Sequence, residues 1–122
     1  HEGSMTTTHA NSPMEAVSRL ETLALMSGLD LPARAIREQI VASVDIILQQ
    51  TRFSDGSRRI THVTEVIGLE DGEFQLKDIF VFKRTGTAAN GKIEGEFRAT
   101  GYLPSYIGDF ITHGLISGGR FL

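Results

Sequence analysis

A chain of 122 residues with 40% hydrophobic and 22% charged content has the make-up of one folded domain with its own core. A net charge of −3 argues against nucleic acid or an anionic membrane as a general partner, and the absence of cysteine excludes disulfides and thiolate metal sites. No apolar run approaches a membrane span and no signal-peptide pattern is present, so direct membrane insertion is not expected.

In chain order, residues 4–9 read as a short buried strand carrying the β-branched run Thr6-Thr7-Thr8. Its end delivers His9 and Asn11 into a helix start, and α/β folds bind ligands at such strand ends. Ser12-Pro13-Met14-Glu15 reads as a capping box. Val17, Leu20, Leu23 and Ala24 follow at helical spacing, and Gly28 suits a helix stop. A second helix is expected to open near Asp30-Leu31-Pro32. Ala35, Ile36, Ile40 and Val44 form its apolar face, with Arg34, Arg37, Glu38 and Gln39 mostly off it.

From about Val44 the period changes. Val44–Phe53 reads as extended, Asp55-Gly56 as a hairpin turn, and Arg59–Ile67 as a second strand. Glu70-Asp71-Gly72 is a second turn and Phe74–Lys83 a third strand, which together predict a three-stranded antiparallel meander. Residues 84–95, rich in Gly and Thr, read as a loop. Phe97–Thr100 reads as a short strand, and Pro104 opens a last helix that stops near Gly114.

Several residue groups could carry chemistry. His9 at a strand end could donate a hydrogen bond to a phosphate or sense its loss. The simpler reading is a His and an Asn that cap a strand-to-helix turn. Gly86-Thr87-Ala88-Ala89-Asn90-Gly91-Lys92 fills seven positions of a P-loop, but Ile93 stands where the Mg²⁺-binding hydroxyl belongs and no helix is built after it. His1, His9, His62 and His113 match no zinc-ligand spacing. Arg58 and Arg59 beside the hairpin read as solvated charges.

The stretch from Gly3 to Pro13, with Thr8-His9-Ala10-Asn11-Ser12-Pro13 at its end, resembles the histidine box of the type II/IV secretion ATPase superfamily. It is most similar to the CpaF-type branch that powers tight-adherence (Flp) pilus assembly. The similarity continues through Ser18-Arg19-Leu20-Glu21, Leu31-Pro32 to Ile40, and Asp55-Gly56-Ser57 to Val66, and so covers most of residues 1–83. The resemblance implies an α/β fold in which residues 1–122 form the C-terminal part of a RecA-like P-loop core with a β-meander extension. It implies a hexameric ATPase that uses ATP and Mg²⁺ in the cytoplasm, peripheral to the inner membrane, with membrane-platform proteins as partners. By position, His9 would be the box histidine, Thr8 and Asn11 its catalytic-site neighbours, and Arg19 and Arg37 subunit-interface candidates.

No Walker A or Walker B pattern is present, and the chain opens inside the motif at a residue other than Met. The expectation is therefore the C-terminal part of a longer ATPase, inactive by itself, binding no nucleotide cofactor and prone to self-associate. Two other readings stay open: a stand-alone docking module of a secretion apparatus, and a type IV secretion motor of the same superfamily.

Overall fold

The computed structural model describes residues 5–28, 30–105 and 107. Helix α1 (Pro13–Met26) starts where its sequence directs it. Ser12 is the N-cap, and its hydroxyl accepts from the Glu15 N–H at 3.1 Å. The Glu15 carboxylate reaches back and accepts from the Asn11 N–H at 2.9 Å, one residue further out than a strict capping box. The helix ends at Ser27, and Gly28 follows at φ +84°. A Cβ disfavours that left-handed value, so glycine suits the stop. Helix α2 (Ala33–Ser43) begins after Pro32 with no side-chain cap.

Four strands follow: β1 (Ile46–Arg52), β2 (Arg58–Glu70), β3 (Glu73–Thr87) and β4 (Ile93–Ala99). They form one antiparallel meander in the order β1-β2-β3-β4. The turns explain the registers. At Glu70-Asp71-Gly72-Glu73 both central residues have positive φ, 52° for Asp71 and 81° for Gly72. That geometry belongs to the two-residue hairpin that Asp-Gly favours, because its twist matches the strands. The other two hairpins share a five-residue loop. In Phe53–Ser57 the Gly56 N–H reaches the Phe53 carbonyl, and in Ala88–Lys92 the Gly91 N–H reaches the Ala88 carbonyl. Asp55 and Asn90 accept from the backbone N–H two residues on in the same way.

The two helices pack on one face of the sheet. Val17 of α1 is fully buried against Val66 and Phe74. Ile40, Val41 and Val44 from the second helix and its exit, with Ile47, Leu69 and Leu76 from the sheet, surround that cluster. Residues alternate across a strand, so Glu65, next to Val66, faces away from the helices. It is nevertheless buried, because residues 102–105 cross over it.

The mixed α and β make-up and the antiparallel meander stand as expected: the described residues form two helices on a wholly antiparallel sheet. Two expectations change. Residues 5–10 form an irregular, largely exposed connection rather than a strand. The predicted loop over residues 84–95 is instead the end of β3, a tight turn and the start of β4. The Asn90-Gly91 dipeptide carried that information, since it is a hairpin signal of the same kind as Asp55-Gly56. The helix expected from Pro104 to near Gly114 falls almost wholly outside the described residues.

Candidate functional site

The segment that carries the sequence's strongest motif runs past the edge strand β1 into α1. Gln49, buried on β1, donates from its amide to the Ala10 carbonyl at 2.9 Å. This tie fixes the connection just before the helix cap. Thr8 is half-buried. His9 is exposed and makes no hydrogen bond among the described residues. Asn11 uses its backbone N–H in the cap, while the residue itself is exposed. The three are therefore close in sequence at the mouth of α1, with His9 accessible to a ligand brought from outside.

Free N–H groups at a helix start attract anions. Here that role is already filled. Ser12 satisfies one donor and the Glu15 carboxylate places negative charge beside the others. A phosphate would meet repulsion at the cap, so His9 rather than the helix end is the group that could face one.

The two candidate arginines differ. Arg19 is exposed on α1, roughly 10 Å along the axis from the cap. Arg37 is engaged inside the chain. It pairs through two nitrogens with Glu21 of α1, donates to the Gly72 carbonyl at 2.6 Å, and lies 5.9 Å from the Phe74 ring centre. The hydrogen bond to Glu21 raises the Arg37 guanidinium above its ordinary value, and burial opposes it. Arg37 thus fastens α1, α2 and the β2–β3 turn to one another, with its donors turned inward.

The other polar clusters are structural in geometry. Glu65 accepts from the Tyr102 hydroxyl at 2.7 Å, the Ser105 N–H at 3.1 Å and the Ser105 hydroxyl. Burial pushes its carboxyl up, but these hydrogen bonds outweigh burial and hold it below its ordinary value. Thr64, buried beside it in sequence, donates to Asp78 across the sheet at 2.6 Å. His62 contacts the Thr61 hydroxyl through Nδ1 at 3.0 Å. Arg59 donates to the Ile93 carbonyl and stacks over Phe82, so it is less free than its sequence position suggested. No group of three metal-ligating side chains occurs among the described residues. The seven P-loop-like residues are the end of β3 and the third turn, followed by strand β4 rather than a helix. His1 and His113 lie outside the described residues.

The sequence reading missed Glu21, Glu65 and Asp55 as organising groups. Asp55 had a visible signal, because Asp-Gly-Ser is a side-chain-capped turn. Glu65 had only its place in an apolar strand.

No protein-family model matches the chain. It is 36% identical over 80 residues to the "Putative conjugal transfer protein" of Mycobacterium tuberculosis, in strains CDC 1551 / Oshkosh and ATCC 25618 / H37Rv. The chain is a distant homologue of these two proteins. The match covers 66% of this chain and 22% of each relative, so the chain spans about a fifth of their length. Among the described residues, no helix is long and apolar enough to cross a membrane.

Proposed function

We propose that this chain is the histidine-box part of an ATP-driven motor for conjugation, secretion or pilus assembly. The observation that carries the reading is the likeness to proteins named for conjugal transfer, in a chain that also bears the Thr8-His9-Ala10-Asn11 box. Accessibility of His9 next to a fixed helix cap is what a phosphate-sensing group requires. The phosphate cradle and Mg²⁺ ligands would come from elsewhere in a longer RecA-like protein, because the one P-loop-like stretch here is a β-turn. The chain would act in a hexamer, at the cytoplasmic face of the inner membrane, on platform proteins of the transfer apparatus.

In the complete protein, His9→Ala should lower ATP hydrolysis by ~10²–10³ and nucleotide affinity far less, as expected of a donor that acts mainly in the transition state. His62→Ala is the control, since His62 contacts Thr61 within the sheet. The 122-residue chain alone should turn over no ATP. Equal losses for both histidine variants, or robust turnover by the chain alone, would refute the assignment.

A docking module is the second reading. An apolar cleft of about 270 Å³ opens between the helices, lined by Leu20, Leu31, Ile36, Ile40 and Val44 among others. Leu23, Leu25 and Met26 stand exposed on α1. Retained transfer activity in a full-length protein carrying His9→Ala, but loss with Leu20→Asp, would favour that reading.

A further inference from the structure

We infer that the two ends of the sheet are complementary contact surfaces, through which the chain associates head to tail with copies of itself. In this meander the β1–β2 and β3–β4 turns lie at one end and the β2–β3 turn at the other. The first end is basic. Arg52 and Arg58 stand directly opposite each other across the β1–β2 hairpin, and both are exposed. Arg84 and Lys92 are exposed on the neighbouring hairpin. Asp55 and Glu94 offset part of this positive charge but are outnumbered: Asp55 accepts from Ile93 and Ser57 and is attracted to Arg59, Glu94 forms no ion pair among the described residues, and Glu96 pairs with Arg98.

The opposite end is acidic. Glu70 and Glu73 stand directly opposite each other across the β2–β3 turn, with Asp71 between them, and all three are exposed. Two cations on the helix side offset part of this charge: Arg37, held by Glu21 and the Gly72 carbonyl but also attracted to Glu73, and Arg34, paired with Glu38 and lining the same hollow as Asp71.

Like charges directly opposite across a hairpin destabilise it. Among the described residues there is one such pair of each sign, at opposite ends of the sheet. Among the described residues the ion pairs are Arg34–Glu38, Arg37–Glu21 and Arg98–Glu96, and none involves either pair. Bringing Arg52 and Arg58 of one copy against Glu70 and Glu73 of the next relieves both repulsions in one contact. Each end also offers an exposed apolar side chain beside the charges, Ile60 at the basic end and Ile67 towards the acidic one. Two different surfaces on one chain make a heterologous contact, which closes into a ring or continues as a filament.

Screening supplies the signature. Exposed charges interact over a Debye length of ~10 Å at 0.1 M salt, so this association weakens as salt rises, while contact through the apolar cleft between the helices does not. Sedimentation velocity of the 122-residue chain in about 20 mM salt should show concentration-dependent association that is lost near about 500 mM. The double variant Arg52→Glu with Arg58→Glu, and the double variant Glu70→Lys with Glu73→Lys, should each be monomeric at low salt. Their equimolar mixture should associate again, since each keeps the end the other needs. The milder Arg58→Gln and Glu73→Gln variants, checked for folding by circular dichroism, should each weaken association about tenfold, which is ~1.4 kcal/mol. A wild-type chain that stays monomeric at low salt, association indifferent to salt, or charge-reversed variants that assemble like wild type would each overturn the inference. So would capture of a monomeric wild-type chain by anionic phospholipid vesicles or an oligonucleotide, which would assign the arginine pair to a phosphate surface.

Discussion

Gly95 shows how much one missing side chain can decide. It sits on β4 opposite Arg84, and the Phe82 ring lies over its backbone. A Cβ there would meet Phe82 Cε1 at 2.8 Å and the Lys83 carbonyl oxygen at 2.6 Å. The ring could turn aside, but the carbonyl belongs to the paired strand and cannot. Phe82 also contacts Phe53 and lies under the Arg59 guanidinium, so moving it disturbs both hairpins. Gly95→Ala should therefore destabilise the fold by about 1–3 kcal/mol, in the manner of an overpacked core, although alanine is the better strand residue. Gly86, on β3 in the same hairpin, has open space around it. Gly86→Ala, measured alongside by chemical denaturation, should cost far less; equal losses would show that strand geometry rather than the aromatic contact sets the cost.

Among the elements, the pairing of the two five-residue hairpins is the least obvious feature. Asp55 leaves its own turn to accept from the Ile93 N–H at 2.7 Å, while its other oxygen accepts from the Ser57 N–H and hydroxyl. The Ile93 N–H, then the Ser57 hydroxyl and N–H, lower the Asp55 carboxyl to about 2, against slight burial and with help from Arg59. A carboxylate whose folded value lies below its unfolded value stabilises the native state above the unfolded value of ~3.9. That contribution fades as pH falls from about 4 towards 2. Thermal melts should therefore show a steeper loss of Tm over this interval in wild type than in Asp55→Asn. Glu65, also held low, adds the same trend to both proteins and cancels in the comparison. Hydrogen exchange at the Ile93 amide should accelerate in the variant at pH 7. Unchanged Ile93 protection would mean that strand pairing alone holds the hairpins together.

For the molecule as a whole, the helices are held to the sheet at one buried joint. Val17 has no exposure and touches the Val66–Phe74 cluster, with Arg37 and Glu21 closing the same joint from its polar side. Val17→Ala removes two buried methyl groups and should cost about 2 kcal/mol, or roughly 8 °C in Tm for a domain of this size. Leu23→Ala on the same helix should change stability by less than about 0.5 kcal/mol, because Leu23 is 47% exposed. Calorimetry of the pair tests the layer arrangement. A large loss for Leu23→Ala would mean that the exposed face of α1 is covered in solution.

Local chemistry was legible in the sequence alone. The Ser12 cap, the Gly28 stop, both helices, and the Asp55-Gly56 and Asp71-Gly72 turns depend on residues within a few positions of one another, and the structure places them as read. The His9 segment was visible as a motif for the same reason, though its burial and backbone were not. A Thr-rich run has the propensity for a strand, but a strand needs a partner, and residues 5–10 find only the Gln49 amide among the described residues. The reach of β3 and β4 past residue 84 depended on a hairpin that Gly and Thr content hid. The tertiary structure alone decided the rest. Arg37 meets Glu21 sixteen residues away, Asp55 meets Ile93 across 38 residues, and Glu65 meets Ser105 across 40. The segregation of charge follows from the same cause. A net charge is a sum over the sequence, but only the order of an antiparallel meander brings Arg52, Arg58, Arg84 and Lys92 to one end and leaves Glu70, Asp71 and Glu73 at the other.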